Sequence, residues 1–259
     1  MLSAADGIHT YNLEEKFMKI KKVLKILLIV ALVIALLLGG GFTYLYFNGL
    51  SGMNKTTEAK DGQIKVACIG DSITYGHGIK NWPKNNYPVV LQNLLGDGYH
   101  VNSYGVSGRA VQPNSDQPYT ALPHYQESLA YDADIVVFMM GTNDSKPGNW
   151  HGADAFKAEL LNILDSYGDA GIILCTPATA FFLDGKTEGP AEYDIQPLVV
   201  EEIAQIVRDV AMERGYTLID IHELTASDPE WFAKDGVHPN NDGAAAIAQM
   251  VADAIAQAD

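Results

Sequence analysis

The chain has 259 residues, 47% hydrophobic and 19% charged, which excludes a disordered protein and allows one medium domain with a sizeable core. Its formal net charge of −15 is uneven: Lys16, Lys19, Lys21, Lys22 and Lys25 outweigh Asp6, Glu14 and Glu15, so residues 1–25 carry +2 and the rest −17. Such an acidic body excludes a nucleic-acid surface, which needs clustered Lys and Arg, and suits a neutral substrate.

Residues 1–15 show no hydrophobic periodicity and read as a short disordered tail, with residues 1–25 cytoplasmic as a whole. Residues 26–47 then run without a charge. As a helix they span about 33 Å, enough for a bilayer core. The five lysines precede this run, and Tyr44, Tyr46 and Phe47 close it. Positive charge stays inside and aromatics favour the interface, so the expectation is a single-pass signal-anchor in the cell membrane. Its N-terminus is cytoplasmic and everything after about residue 50 lies outside. The alternative is a signal peptide with residues 26–38 as its apolar core, cleaved to release a secreted protein. No Ala-x-Ala pattern follows, and the apolar stretch resumes after Gly39-Gly40-Gly41.

Residues 48–62 are polar and contain glycine, a linker composition. From residue 63 to 259 one domain is expected. Apolar runs at 64–69, 99–103, 134–140, 171–175 and 216–220 read as strands buried on both faces. Stripes at helical spacing lie between and after them: Val90, Leu91, Leu94 and Leu95; Phe156, Leu160, Ile163 and Leu164; Val199, Ile203, Ile206, Val207 and Val210; Ile247, Val251, Ala254 and Ile255. Helices near 120–130 and 240–257 complete the set. The alternation predicts an α/β fold, a parallel sheet covered by helices. Cys68 and Cys175 each lie in one of the strand-like runs, where thiols act as small hydrophobes. No metal-ligand spacing surrounds them, and neither a metal nor a cofactor is expected.

The long connections 104–118, 141–152, 176–195 and 221–239 follow predicted strands, where parallel sheets bind ligands. Four motifs lie at the carboxyl ends of these predicted strands. Gly70-Asp71-Ser72 puts a serine hydroxyl just past the first strand. Gly105, in Asn102-Ser-Tyr-Gly-Val-Ser-Gly108, offers a backbone N–H with no side chain to block approach. Asn143, in Gly141-Thr-Asn-Asp144, offers an amide donor. Asp235-Gly-Val-His238 offers a base and, three residues away, a carboxylate. A serine hydroxyl needs a base to take its proton, and imidazole suits that task near neutral pH. A carboxylate then fixes the imidazole tautomer, and donors aimed at the oxyanion lower the barrier.

Ser72, Gly105, Asn143 and His238, in this order, resemble the four blocks of the SGNH hydrolases, the GDSL esterase/lipase family. Gly70-Asp-Ser-Ile73 departs from that pattern only at an apolar position. The resemblance covers roughly residues 63–257. It implies a three-layer α/β/α sandwich with a five-stranded parallel sheet in order 2-1-3-4-5, preceded here by the N-terminal transmembrane helix. In that order the Cys68 and Cys175 strands are not neighbours. It also implies that Ser72 is the nucleophile, His238 the base and Asp235 its orienter. Ser72, Gly105 and Asn143 then form the oxyanion hole.

Trp150, Phe181, Phe182 and Arg109 are candidate substrate contacts on the rim loops. Trp82 and Trp231, like Trp150, fall in or beside the rim loops, where aromatics suit stacking on sugar rings, while His77 and His151 are rim candidates without an assigned role. No apolar segment beyond the membrane run suggests a lipid-binding cap. With the outward topology, this favours removal of small acyl groups, acetyl above all, from a carbohydrate through an acyl-Ser72 intermediate. The alternatives are a lysophospholipase or thioesterase, an O-acetyltransferase acting on a surface glycan, and a non-catalytic glycan-binding module.

Overall fold

The computed structural model describes residues 5–45 and 54–258, with side chains for 17–36, 39 and 54–257. The chain divides into two units, Met1–Ser51 and Gly52–Asp259.

The described part of the first unit is one helix, α1 (Ala5–Leu45). The expected disordered tail is therefore helical from Ala5 onward. Once an apolar run has nucleated a helix, each further residue adds a hydrogen bond at little cost. The described large apolar side chains of this helix stand exposed, Leu27 at 58% and Leu36 at 74%. Among the described residues no helix is long and apolar enough to cross a membrane. The expected span, 26–47, lies partly outside the described side chains. Those described from Ile26 to Leu36 reach about 16 Å at 1.5 Å per residue, against a hydrocarbon core of about 30 Å.

In the second unit β1 (Ile64–Gly70), β2 (Tyr99–Gly105), β3 (Ile135–Met139), β4 (Gly171–Cys175) and β5 (Thr217–Ile219) form one parallel sheet in the order β2-β1-β3-β4-β5. Between and after them run α2 (Ser72–Tyr75), α3 (Trp82–Asn85), α4 (Tyr87–Leu95), α5 (Pro123–Ala130), α6 (Ala153–Asp165), α7 (Pro197–Arg214), α8 (Ile221–Ala226) and α9 (Asn241–Ala258).

Successive strand side chains point to opposite faces. Val66 and Cys68 join Leu91 of α4 and Ile247, Val251 and Ile255 of α9 on one face. Ala67 and Ile69 join Phe156, Leu160 and Ile163 of α6 and Ile203, Val207 and Val210 of α7 on the other. These are the three layers that the family resemblance implies. Leu94 departs from its stripe and is 46% exposed. The short α8 had no apolar stripe to announce it; the Asp220 carboxylate caps it by accepting the Glu223 N–H at 3.2 Å. Cys68 and Cys175 are free and fully buried, with β3 between their strands. Burial pushes the Cys68 thiol up to about 12, so it stays a protonated hydrophobe.

The carboxyl end of the sheet is closed tightly. β2 runs two residues beyond the expected 99–103 and ends on Gly105, paired with Gly70 of β1. α2 crosses over both glycines. A Cβ on Gly105 would meet the Tyr75 backbone nitrogen at 2.4 Å and the Thr74 carbonyl carbon at 2.7 Å. Backbone cannot step aside as a flexible side chain can. Gly105→Ala is expected to cost about 1–3 kcal/mol, the usual range for overpacking. A thermal melt checks it, with a Tm fall of roughly 2–4 °C per kcal/mol; an unchanged Tm contradicts this packing.

Candidate active site

The first turn after β1 is built by Asp71. Its Oδ1 accepts the Ile73 N–H at 2.9 Å, which starts α2 with Ser72 as its first residue. Gly76, at φ 92°, ends the helix after one turn. Ser72 is thereby held at the carboxyl end of a central strand.

The opposite partner comes from the loop before α9. Gly236 sits at φ 70°, and a Cβ there would lie 2.5 Å from the Phe181 carbonyl oxygen, so the turn needs glycine. The turn folds Asp235 back on its own backbone. Asp235 Oδ1 accepts the N–H groups of Val237 at 2.9 Å and His238 at 3.0 Å. Oδ2 lies 2.8 Å from His238 Nδ1, and His238 Nε2 lies 2.9 Å from Ser72 Oγ. Burial works against ionisation of Asp235, but these hydrogen bonds and the imidazole outweigh it and hold the carboxyl at about 2. An ionised Asp235 accepts from Nδ1–H, which leaves the Nε2 lone pair facing the serine. Ser72, His238 and Asp235 are thus joined in one hydrogen-bonded line, its first two members 166 residues apart in sequence.

Ser72 and His238 line a cleft of about 150 Å³ with His77, Ser107, Gly108, Thr142, Asn143, Lys146, Tyr193, Ile195 and Val237. Asn143 opens a short 3₁₀ turn, Asn143–Ser145, after β3. Its amide is held from two sides: Nδ2 donates to the Arg109 carbonyl at 3.1 Å and to Asp71 Oδ2 at 3.3 Å. The next residue, Asp144, fastens the neighbouring loop. Its carboxylate accepts the N–H groups of Val111 at 2.9 Å and Gln112 at 2.8 Å. Burial pushes the Asp144 carboxyl up to about 7, although both of these bonds pull it down. Asn149 completes the frame, donating to the Asn143 carbonyl at 2.9 Å and to Asp116 Oδ1 at 2.8 Å.

Gly105 does not line the cleft. It is the last residue of β2, under α2. Gly108, beyond the strand in the same motif, lines the cleft instead, with φ 78°. Among the described residues neither the Ser72 nor the Gly108 backbone N–H donates a hydrogen bond within the chain. The signal for this lay in the strand length: reading β2 to its true end leaves only the second glycine of Gly105-Val-Ser-Gly108 in a loop.

The four candidate substrate contacts also lie away from the cleft wall. Trp150 packs its ring on Phe156, 6.1 Å between centroids, at the edge of the core. Phe181 stands edge-on to Phe232 at 5.0 Å and donates its N–H to the Gly236 carbonyl at 2.7 Å, so it props up the Asp235 turn. Phe182 leads into the 3₁₀ turn Leu183–Gly185. Arg109 contributes its carbonyl to Asn143, and burial lowers the pKa of its guanidinium while Asp116 raises it. Large apolar side chains on these loops meet the core first because that is where they lose most water. Trp82 and Trp231 likewise pack against the core. His151 is exposed, with Nε2 3.3 Å from the Asn114 carbonyl.

His77 does reach the site. Its ring lies tilted against His238, 4.5 Å between centroids. Partial burial, with His238 beside it, lowers its pKa. Tyr193 meets both imidazoles, edge-on to His238 at 5.4 Å and to His77 at 6.2 Å. Nothing in the local sequence around Tyr193 marks it, since its neighbours in the cleft come from other loops.

Residues 68–246 match the GDSL-like lipase/acylhydrolase family. The chain belongs to that family. It is 36% identical over 217 residues to an acetylxylan esterase of Xylanibacter ruminicola, covering 76% of this chain and 44% of the relative. The chain therefore spans less than half the length of that protein. Among solved structures, a carbohydrate acetylesterase family member from Sinorhizobium meliloti superposes with a TM-score of 0.59 at 21% identity, over 75% of this chain and 98% of that one. An aryl esterase from M. smegmatis gives 0.60 at 18% identity, over 75% and 99%. At such identities these two carry the fold alone, the three-layer sandwich of this family member.

Proposed function

We propose that this GDSL-family protein is a serine ester hydrolase that removes acetyl groups from a carbohydrate through an acyl-Ser72 intermediate. The observation that carries the reading is the unbroken line from Asp235 Oδ2 through His238 to Ser72 Oγ, opening into a small cleft.

His238 Nε2 takes the Ser72 proton as Oγ attacks the ester carbonyl carbon. Asp235 stabilises the imidazolium that forms. The carbonyl oxygen becomes an oxyanion. The free N–H groups of Ser72 and Gly108, which need no rearrangement to donate, serve it, so Gly108 takes the donor role expected of Gly105. Asn143 is the third donor; its Nδ2 turns from Asp71 or Arg109 to reach the oxyanion. His238 then returns the proton to the leaving sugar hydroxyl. Water, deprotonated by the same imidazole, attacks the acyl-serine, releasing acetate and restoring Ser72.

The size of the cleft supports a small acyl group. A cavity of about 150 Å³ holds a molecule of roughly benzene size, whereas sites for larger ligands run to about 300–1,000 Å³. An acetyl group fits within it. The acetylxylan esterase relative supports a sugar as the alcohol part. The acidic, lysine-poor body supports a largely neutral glycan.

The lysine-flanked apolar run of residues 26–47 is proposed to hold the domain at the outer face of a membrane. The exposed Leu24, Ile26, Leu28 and Leu36 support it, because such side chains are otherwise buried.

A panel of acetylated glycans and esters of graded chain length tests both statements, run on the full-length chain after separating membrane and soluble fractions. Acetate release from the glycan, with activity in the membrane fraction, is expected. Cleavage of long-chain acyl lipids alone overturns the substrate reading. Acetyl transfer to an added sugar in preference to water turns the hydrolase into a transferase. Activity confined to the soluble fraction overturns the anchor.

A further inference from the structure

We propose that Tyr193 is a specificity-determining residue whose ring packs on the sugar that carries the scissile acetyl group; the proposal rests on the glycan reading above. Tyr193 has φ 60° and ψ 24°, and Asp194 follows at φ 61°. A bulky side chain in the left-handed region is an outlier, and here two non-glycine residues adopt it in succession. Such strain persists only where the surroundings over-determine the backbone, and it gathers at ligand clamps.

The surroundings do so here. Ala191 and Ile195, on either side, are buried with Ala180, Val200 and Val237. The Ala191 N–H donates to the Ile195 carbonyl at 2.8 Å, closing the loop on itself. The Glu192 N–H donates to the Asp235 carbonyl at 3.2 Å, and the Gln196 N–H donates to Ser145 Oγ at 3.1 Å. The loop is thereby tied both to the turn that carries His238 and to the turn that carries Asn143.

Burial of Tyr193 does not offset this strain, for the side chain is 54% exposed. Among the described residues its hydroxyl makes no hydrogen bond. What the conformation achieves is to stand the ring on the cleft wall beside the catalytic imidazole, with His77 as its other neighbour. The acyl group fills the small cleft, of which this ring forms one wall. The alcohol part of the ester must leave the cleft past it. A pyranose presents an apolar C–H face, and a tyrosine offers a large rigid apolar surface at small entropic cost.

Wild type, Tyr193→Ala, Tyr193→Asn and Tyr193→Phe are compared on a partly acetylated xylo-oligosaccharide and on ethyl acetate, which has no ring. Losing the ring is expected to raise KM for the oligosaccharide about tenfold, and to lower kcat/KM on it about tenfold more than on ethyl acetate. Tyr193→Phe keeps the wild-type ratio. Asn tolerates the left-handed backbone, so a loss shared by the Ala and Asn variants belongs to the ring and not to a collapsed loop. Equal losses on both esters, or an unchanged oligosaccharide KM, overturn the proposal while leaving the glycan reading intact. A wild-type protein that cleaves ethyl acetate but frees no acetate from sugar overturns the glycan reading, and the proposal with it.

Discussion

Replacing Ser72 by alanine is expected to lower kcat on a short acetyl ester by about 10⁶-fold, the scale seen when a serine nucleophile that acts as a unit with its base is removed. The substitution deletes Oγ, which lies 2.9 Å from His238 Nε2 and forms the acyl bond in the proposed mechanism. It leaves the fold nearly untouched. Ser72 is buried at the start of α2, but the Asp71 cap bonds to the backbone of Ile73, not to the serine side chain. One lost side-chain hydrogen bond is worth about 1 kcal/mol. The variant should therefore melt within a few degrees of wild type, retain the glycan, and resist labelling by a serine-reactive fluorophosphonate. A Ser72→Ala protein that still turns over the ester, or still takes the label, removes Ser72 from the chemistry and favours a glycan-binding module.

Asp235→Asn tests the orienter, and the expected loss in kcat is about 10⁴-fold. The side-chain oxygen of Asn can still accept the N–H groups of Val237 and His238, as Oδ1 does now. Its amide nitrogen then faces His238 Nδ1. A donor in that place forces the imidazole to present a lone pair at Nδ1 and to carry its proton on Nε2, toward Ser72. The base is then in the wrong tautomer, although the geometry is kept. The same carboxyl also shapes acid stability. Its pKa in the folded chain is about 2, below the ordinary aspartate value of 3.8. A carboxyl depressed in this way contributes stability that is present above the unfolded value and lost as pH falls through the folded one. Wild type should lose Tm between about pH 4 and pH 2 more steeply than Asp235→Asn. Thermal melts across that range decide it, and parallel curves would show that Asp235 is not held ionised by the turn.

Much of the architecture was legible in the sequence because it is periodic. Runs such as 64–69 and 171–175 are apolar on both sides, so they belong between two layers. The stripes at Phe156-Leu160-Ile163-Leu164 and Ile247-Val251-Ile255 supply those layers. Both strands and stripes record burial of one element against its neighbour, and that pattern needs no knowledge of where the loops go. Ser72, Asp235 and His238 were legible for a related reason: their local turns are encoded by adjacent residues, Asp71 capping Ile73 and Gly236 folding Asp235 onto Val237.

The sequence says least where one residue's placement depends on a remote segment. Gly105 and Gly108 are three residues apart and equally suited, as glycines, to a close approach. What separates them is α2, whose Thr74 and Tyr75 backbone fills the space over Gly105. Trp150, Phe181, Phe182 and Arg109 were chosen because aromatics and cations on rim loops suit a substrate. Loop membership does not say which way a side chain turns, and Trp150 and Phe181 turn inward, while none of the four lines the cleft. Conversely, Tyr193 looks unremarkable in Ala191-Glu-Tyr-Asp-Ile195. Only the closure of that loop against Asp235 and Ser145 brings its ring to His238.

The sequence by itself determined the order of the strands and the main helices, the family to which the chain belongs, and the local turns that present Ser72, Asp235 and His238, because each is written in local spacing. The tertiary structure decided which of the two glycines faces the cleft and which side chains form its wall. Those are set by contacts between loops far apart in the chain, and no local pattern records which of several chemically similar residues such a contact will leave facing the substrate.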